Sequence, residues 1–88
     1  MEYVYLVTDT MHQAFGICEL GYSTFNPLEN SNKYICTHIK QGKFILIIET
    51  KNGYELEKTL KHKFKKYNIM GTECPDLYNL KILDEIKI

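Results

Sequence analysis

The chain has 88 residues, of which 44% are hydrophobic and 25% charged, an ordinary globular composition sufficient for one domain with one modest core. Eleven acidic residues balance eleven basic ones, and this neutrality argues against a strong non-specific nucleic-acid binder. No stretch approaches the ~20 apolar residues of a membrane span, and Met1-Glu2-Tyr3 lacks the basic n-region of a secretory signal.

Residues 3–7 read Tyr-Val-Tyr-Leu-Val, a β-branched and aromatic run with strand character. Thr8-Asp9-Thr10-Met11-His12-Gln13 is polar and turn-like. Residues 14–21 return to apolar alternation, with Phe15, Ile17 and Glu19 on one face and Gly16, Cys18 and Leu20 on the other. These two strands predict a hairpin with a six-residue connection. Asn26-Pro27 is a cap-and-first-turn pair, so a short helix is expected over residues 27–34, weakened by Asn30-Ser31-Asn32. Residues 42–50 carry five consecutive large hydrophobes between Gly42 and Asn52-Gly53, and predict a buried central strand.

The clearest helix covers residues 54–67. Leu56, Leu60, Phe64 and Tyr67 fall on one side of a 3.6-residue wheel, with Lys58, Lys61 and Lys65 on the other. Lys65 and Lys66 sit in its last turn, where positive charge suits the helix dipole. Residues 68–76 read as a loop. Asp76 then caps a final helical segment in which Leu77, Leu80, Leu83 and Ile86 repeat at helical spacing. Three strands and flanking helices predict an α+β domain with a small antiparallel-type sheet, spanning residues 1–88 as a single unit.

Cys18, Cys36 and Cys74 are odd in number and match no disulfide framework, so reduced thiols in an intracellular protein are expected. Cys36-Thr37-His38 brings two potential zinc ligands together, but no CxxC or HxxxH pair accompanies them. Abundant Lys, Ile, Asn and Tyr, with no Arg or Trp, suggest an A+T-rich coding genome: a virus, a phage or an A+T-rich cell.

Three motifs stand in a telling order: Tyr3-Val4-Tyr5-Leu6-Val7, then Leu20-Gly21-Tyr22-Ser23, then Glu57-x-x-Leu60-x-x-x-Phe64. In order and spacing they resemble the core of the GIY-YIG nuclease superfamily, in its compact branch of phages and large DNA viruses. The resemblance runs over roughly residues 3 to 80. It implies Tyr5, with Tyr3 second, near a scissile phosphate. It implies Gly21 as the close-approach glycine, Glu57 as the carboxylate holding Mg²⁺, and Gly71-Thr72-Glu73 as the turn before the last element.

The departures from that pattern bear on activity. The resemblance implies an arginine near residues 26–30, where the chain reads Asn26-Pro27-Leu28-Glu29-Asn30. All eleven basic residues are lysine, and the nearest is Lys33. A lysine does not reproduce the planar fork of a guanidinium on a phosphate, and one lost preorganised donor costs about 10²–10³ in rate. Glu19 adds a negative charge where the resemblance implies tyrosine or lysine.

The resulting expectation is a catalytically degraded GIY-YIG-like domain that serves as a binding or structural module, viral or phage in type. It would have no cofactor, and a protein partner or self-assembly would be its working contact. It would act in the host cytoplasm or nucleus, or in the virion. One alternative is an active Mg²⁺-dependent DNA endonuclease in which Tyr5, Lys33 and Glu57 converge on one cleft. Another is a protein-interaction or virion component, docking through the Tyr22-Ser23-Thr24-Phe25 turn or the apolar end at Ile86 and Ile88. Lys58, Lys61 and Lys65 are the candidate DNA contacts. Plainer readings stand beside these: Tyr5 as a strand tyrosine packed on the sheet, Glu57 as a first-turn carboxylate suiting the helix dipole, and the lysines as a solvated face.

Overall fold

A computed structural model describes residues 1–29, 39, 42–69 and 76–87. In chain order it comprises strand β1 (Glu2–Thr8), helix α1 (Thr10–Ala14), strand β2 (Ile17–Ser23), strand β3 (Lys43–Thr50), helix α2 (Gly53–Lys63), a single 3-10 turn (Lys65–Tyr67), strand β4 (Leu77–Asn79) and helix α3 (Lys81–Lys87). The α+β expectation holds, but the antiparallel sheet has four strands rather than three, in the order β3-β1-β2-β4.

β1 is one of the two interior strands, with β2. It pairs with β2 from Tyr3↔Ser23 to Val7↔Glu19, and with β3 from Glu2↔Thr50 to Thr8↔Lys43. The β1–β3 register shifts between Leu6 and Val7, leaving Ile45 as the extra, bulged residue of β3. Alternation along β1 separates two apolar layers. Val4 and Leu6 join Cys18, Leu20, Leu60, Phe64, Tyr78 and Ile82 beneath α2 and α3. Tyr5 and Val7 join Ile39 on the other face, with Phe44 and Ile47 packed against them.

The expected central position of residues 42–50 is corrected. β3 is an edge strand, and residues 44–48 are all half-buried. A continuous apolar run reports burial on two faces but carries no information on whether both edges are paired.

The expected polar turn after Thr8 holds a helix instead. Asp9 caps α1, its carboxylate accepting from the His12 amide at 2.7 Å and lying 2.7 Å from His12 Nδ1. These hydrogen bonds, first from the backbone and then from the ring, hold the Asp9 carboxyl below its ordinary range. Gly16, with φ of 71°, then turns the chain into β2, a left-handed conformation suited to glycine. At the next expected element, Asn26 Oδ1 accepts from the Leu28 amide at 3.0 Å, and residues 27–29 form a turn. The rest of the helix expected over residues 27–34 lies outside the described residues, as do Lys33, Cys36, His38, Cys74 and Gly71-Thr72-Glu73.

α2 follows the wheel for Leu56 and Leu60 but is shorter than the expected helix over 54–67: it ends at Lys63, Phe64 caps it, and Lys65–Tyr67, expected in its last turn, form the separate 3-10 turn. Asn52 Oδ1 accepts from the Glu55 amide at 3.3 Å, while Glu2 Oε1 accepts from the Gly53 amide at 2.7 Å and ties the helix start to β1. Leu60 and Phe64 are buried, and burying a side chain such as Phe64 contributes about 1.5–3 kcal/mol. At the C-terminal end, residues expected to begin a helix form β4. Leu80 donates its amide to Gly16 and Leu20 donates to the Asp76 carbonyl, both at 2.9 Å. Asn79, not Asp76, caps the helix that follows, its Oδ1 accepting from the Lys81 amide at 2.9 Å. Ile82 of α3 is fully buried in the core, and Leu83 and Ile86 pack partly against it.

Glu19 turns inward. It is 2% exposed, lies on β2 opposite Val7, and its Oε1 accepts from the buried Ile39 amide at 2.9 Å. This bond fastens residue 39 over the face that carries Tyr5 and Val7. Replacing Glu19 with alanine is therefore expected to cost about 1–3 kcal/mol, since a buried amide loses an acceptor. Glu19→Gln, which keeps a carbonyl oxygen, should cost less. Urea unfolding of the three proteins checks the order; equal midpoints for all three would contradict it.

Candidate functional site

The titratable groups that gather most closely lie on the helix side of the sheet. Glu57, from α2, points toward the strand-facing side of that helix with its side chain 16% exposed. Lys61, one turn later, sets its Nζ 3.9 Å from Glu57 Oε1 and 2.5 Å from Asp76 Oδ1. One ammonium thus stands between two carboxylates from different parts of the chain. Burial, opposed by Lys61 and reinforced by the Asp76 charge, raises the Glu57 carboxyl above its ordinary value. Tyr78 on β4 feels the same surroundings, and burial followed by the charges of Asp76 and Glu57 pushes its phenol up to about 12. The Tyr22 phenol is also raised, by burial first and then by Glu2 and Glu57.

Tyr5 does not join this group. It belongs to the opposite layer with Val7 and Ile39, is 4% exposed, and packs edge-on against Phe44 at 5.3 Å between ring centroids. Its ring also fills the space above Gly21, its partner across the β1–β2 ladder. A Cβ on Gly21 would stand 2.5 Å from the Tyr5 ring carbons. The glycine thus leaves room for a tyrosine of the same domain. Tyr5 and Glu57 lie on opposite faces of the sheet, and Lys33 lies outside the described residues. Tyr3 is half-buried at the start of the same strand, on the Tyr5 side by alternation.

The lysines divide. Lys58 and Lys65 are exposed, as are His62, Lys63 and Lys66. Lys58, Lys63 and Lys66 hold their ammoniums 5.5, 5.4 and 5.1 Å from the ring centroids of Tyr54, Phe64 and Tyr67. Lys61 leaves the solvated face that the wheel assigned to it and turns to its two carboxylates. Tyr67, expected on the core side, is half-buried, and its hydroxyl donates to Glu85 of α3 at 2.6 Å.

The proposed docking turn is largely withdrawn from solvent: Tyr22 and Phe25 are half-buried and Ser23 is buried. Ile86 packs partly against the main core, and Ile88 lies outside the described residues. Among the described residues, the exposed large apolar side chains are instead Met1, Met11, Phe15, Leu28, Tyr54 and Ile69. Cys18 is buried, which pushes its thiol up to about 12 and makes it a poor nucleophile. Among the described residues, no three His, Cys, Asp or Glu side chains gather as a metal site. An open hollow of about 310 Å³ lies between α1 and the start of β3, lined by Asp9, Thr10, Gln13, Gly42 and Lys43, remote from Glu57. Among the described residues, no helix is long and apolar enough to cross a membrane.

Sequence reasoning missed Asp76 and Tyr78 as neighbours of Glu57. The signal in the sequence is an acid just before an apolar pair, a pattern that fits a helix cap equally well. Compared with protein-family models, curated proteins and solved structures, the chain matches none.

Two outcomes follow from this geometry. Gly21→Ala is expected to cost about 1–3 kcal/mol by overpacking. In a Tyr5→Ala background the same change should cost much less, because the ring it strikes is gone. Thermal unfolding of the four proteins in this cycle measures the coupling, and strictly additive effects would contradict the contact. The second concerns Glu57. A carboxyl raised in the folded state binds its proton more tightly there, so its contribution is most favourable in acid and is lost as pH rises from the ordinary carboxylate range through the raised value. Glu57→Gln is accordingly expected to raise stability at neutral pH and to lose that advantage in acid. Urea midpoints measured across that range check the sign.

Proposed function

We propose that this chain is a GIY-YIG-like domain without nuclease chemistry that works as a binding or structural module, of viral or phage type. The observation that carries this reading is the separation of Tyr5 from Glu57. The tyrosine that the resemblance puts beside a phosphate is packed into one apolar layer over Gly21, while the glutamate stands in the other layer beside Lys61 and Asp76. Phosphodiester cleavage needs an attacking group, a metal-bound phosphate and a preorganised cation within a few Å of one another. A tyrosine and a carboxylate on opposite faces of one sheet do not meet that demand. Glu57 also faces an ammonium, which competes with a divalent cation for its charge.

DNA is one candidate partner, through exposed Lys58 and Lys65 with His62, Lys63 and Lys66 beside them. The aromatic rings beneath three of these lysines hold ammoniums in place without neutralising them. A protein partner or a second copy is the other candidate, and the half-buried apolar edge of the sheet supports it.

The test combines cleavage and binding on single-stranded, double-stranded and branched DNA, with Mg²⁺ or Mn²⁺, at low and high salt. No cleavage of any form is expected. If DNA is the partner, binding should weaken with salt and weaken further in Lys58→Glu/Lys65→Glu. Metal-dependent cleavage that disappears in Glu57→Ala would overturn the reading.

A further inference from the structure

Charge is spread unevenly along this neutral chain. Residues 58–66 hold five lysines and no acid, while the rest of the chain holds six lysines against eleven acids. Lys61 is taken up by Glu57 and Asp76. Lys58, Lys63, Lys65 and Lys66 are exposed, and among the described residues none of them forms an ion pair. Lys58, His62 and Lys65 recur every three to four residues and so share one side of α2 and the 3-10 turn that follows it. The Lys58, Lys63 and Lys66 ammoniums stand over aromatic rings, contacts that steady them and leave their charge unneutralised. The face is also bounded. Exposed Glu55 lies at its start, and exposed Glu85, bonded to the Tyr67 hydroxyl at 2.6 Å, lies at its end.

We propose that this face binds a short acidic segment of a partner protein, a run of aspartates and glutamates laid along the outer side of α2. The inference rests on the reading of the chain as a binding module and names the partner its lysines take. Unpaired ammoniums call for an anion, and the bounds of the face limit its length. The stretch from Lys58 to Lys66 spans only about 13 Å, and a longer polyanion meets Glu55 and Glu85 at its two ends. A duplex carries one charge per about 1.7 Å of its axis, so it would set phosphates against both acids. A single strand gains its affinity by stacking bases on free aromatic faces. Here Phe64 is buried, Tyr67 is half-buried and bonded to Glu85, and Tyr54 is flanked by Lys58 and Tyr22. An acidic peptide needs neither a long track nor a free ring. Its separate, flexible carboxylates reach the separate ammoniums, and its backbone turns away before the two acids.

Fluorescence anisotropy tests the proposal. The probes are a labelled oligoglutamate peptide, an oligoglutamine peptide of the same length, and single-stranded and duplex DNA of the same charge as the oligoglutamate. The oligoglutamate is expected to bind, more weakly as salt rises. The oligoglutamine should not bind, and both DNAs should bind more weakly than the acidic peptide. Lys58→Glu/Lys65→Glu should weaken peptide binding about tenfold, with circular dichroism confirming that the fold survives. If that variant unfolds, Lys58→Gln/Lys65→Gln decides, by a loss of about threefold. Lys43→Glu/Lys51→Glu makes the same change in net charge at exposed lysines outside this face, and should alter binding less than about twofold. Failure of the oligoglutamate to bind, tighter binding of either DNA, or equal losses in the two charge-matched variants would each overturn the proposal. Metal-dependent cleavage, read in the separate assay above, would instead overturn the module reading on which it rests.

Discussion

β1 has to be buried on both faces and paired on both edges, and the remaining elements are arranged around that demand. Val4 and Leu6 require an apolar layer on one side, supplied by α2, α3 and Tyr78. Tyr5 and Val7 require another on the opposite side, supplied by Ile39, Phe44 and Ile47. A domain of 88 residues has little apolar material for two layers. The second layer is thin, and a buried carboxylate helps to hold it: Glu19 accepts from the Ile39 amide and keeps that residue over Val7. A buried amide left without an acceptor is costly, so the acceptor that Glu19 offers Ile39 is an effective fastening for a layer with few apolar residues.

Much of this plan is legible in the chain. β1, β3 and α2 follow from local pattern: a β-branched run, an apolar run and a 3.6-residue stripe. Cys18 and Leu20 fall on the helix side and Glu19 on the other, as alternation along β2 requires. What alternation could not supply is the surroundings of Glu19, because its partner Ile39 is twenty residues away and outside any local pattern. The same limit explains the misplacement of β3, since edge and centre are properties of pairing order. β4 escaped notice for a different reason. Three residues are too few to show a period of two, and Leu77, Leu80 and Leu83 fit a helical spacing by chance. α1 rests on a cap, Asp9 with His12, within a stretch whose composition reads as turn.

The candidate site shows how structural and functional readings of one residue diverge. From sequence, Glu57 is a carboxylate on a helix, equally suited to a metal or to solvent. In the fold it is partly desolvated and shares Lys61 with Asp76, at the longer of the two distances. Lys61 thereby joins α2 to the start of β4, which also holds to β2 through the Asp76 carbonyl. A clasp between α2 and the C-terminal segment accounts for all three charged side chains without any ligand.

The same economy applies to the motif that suggested a nuclease. A tyrosine on β1 and a glycine opposite it on β2 suit a close cross-strand aromatic contact: a Cβ on the glycine would stand 2.5 Å from the ring and force it to shift. That steric demand yields the spacing Tyr5…Gly21 whether or not the domain ever bound a phosphate. Order and spacing of such residues therefore constrain the fold more tightly than the chemistry. Chemistry would require the tyrosine, the glutamate and a cation to share one side of the sheet, and Tyr5 and Glu57 do not.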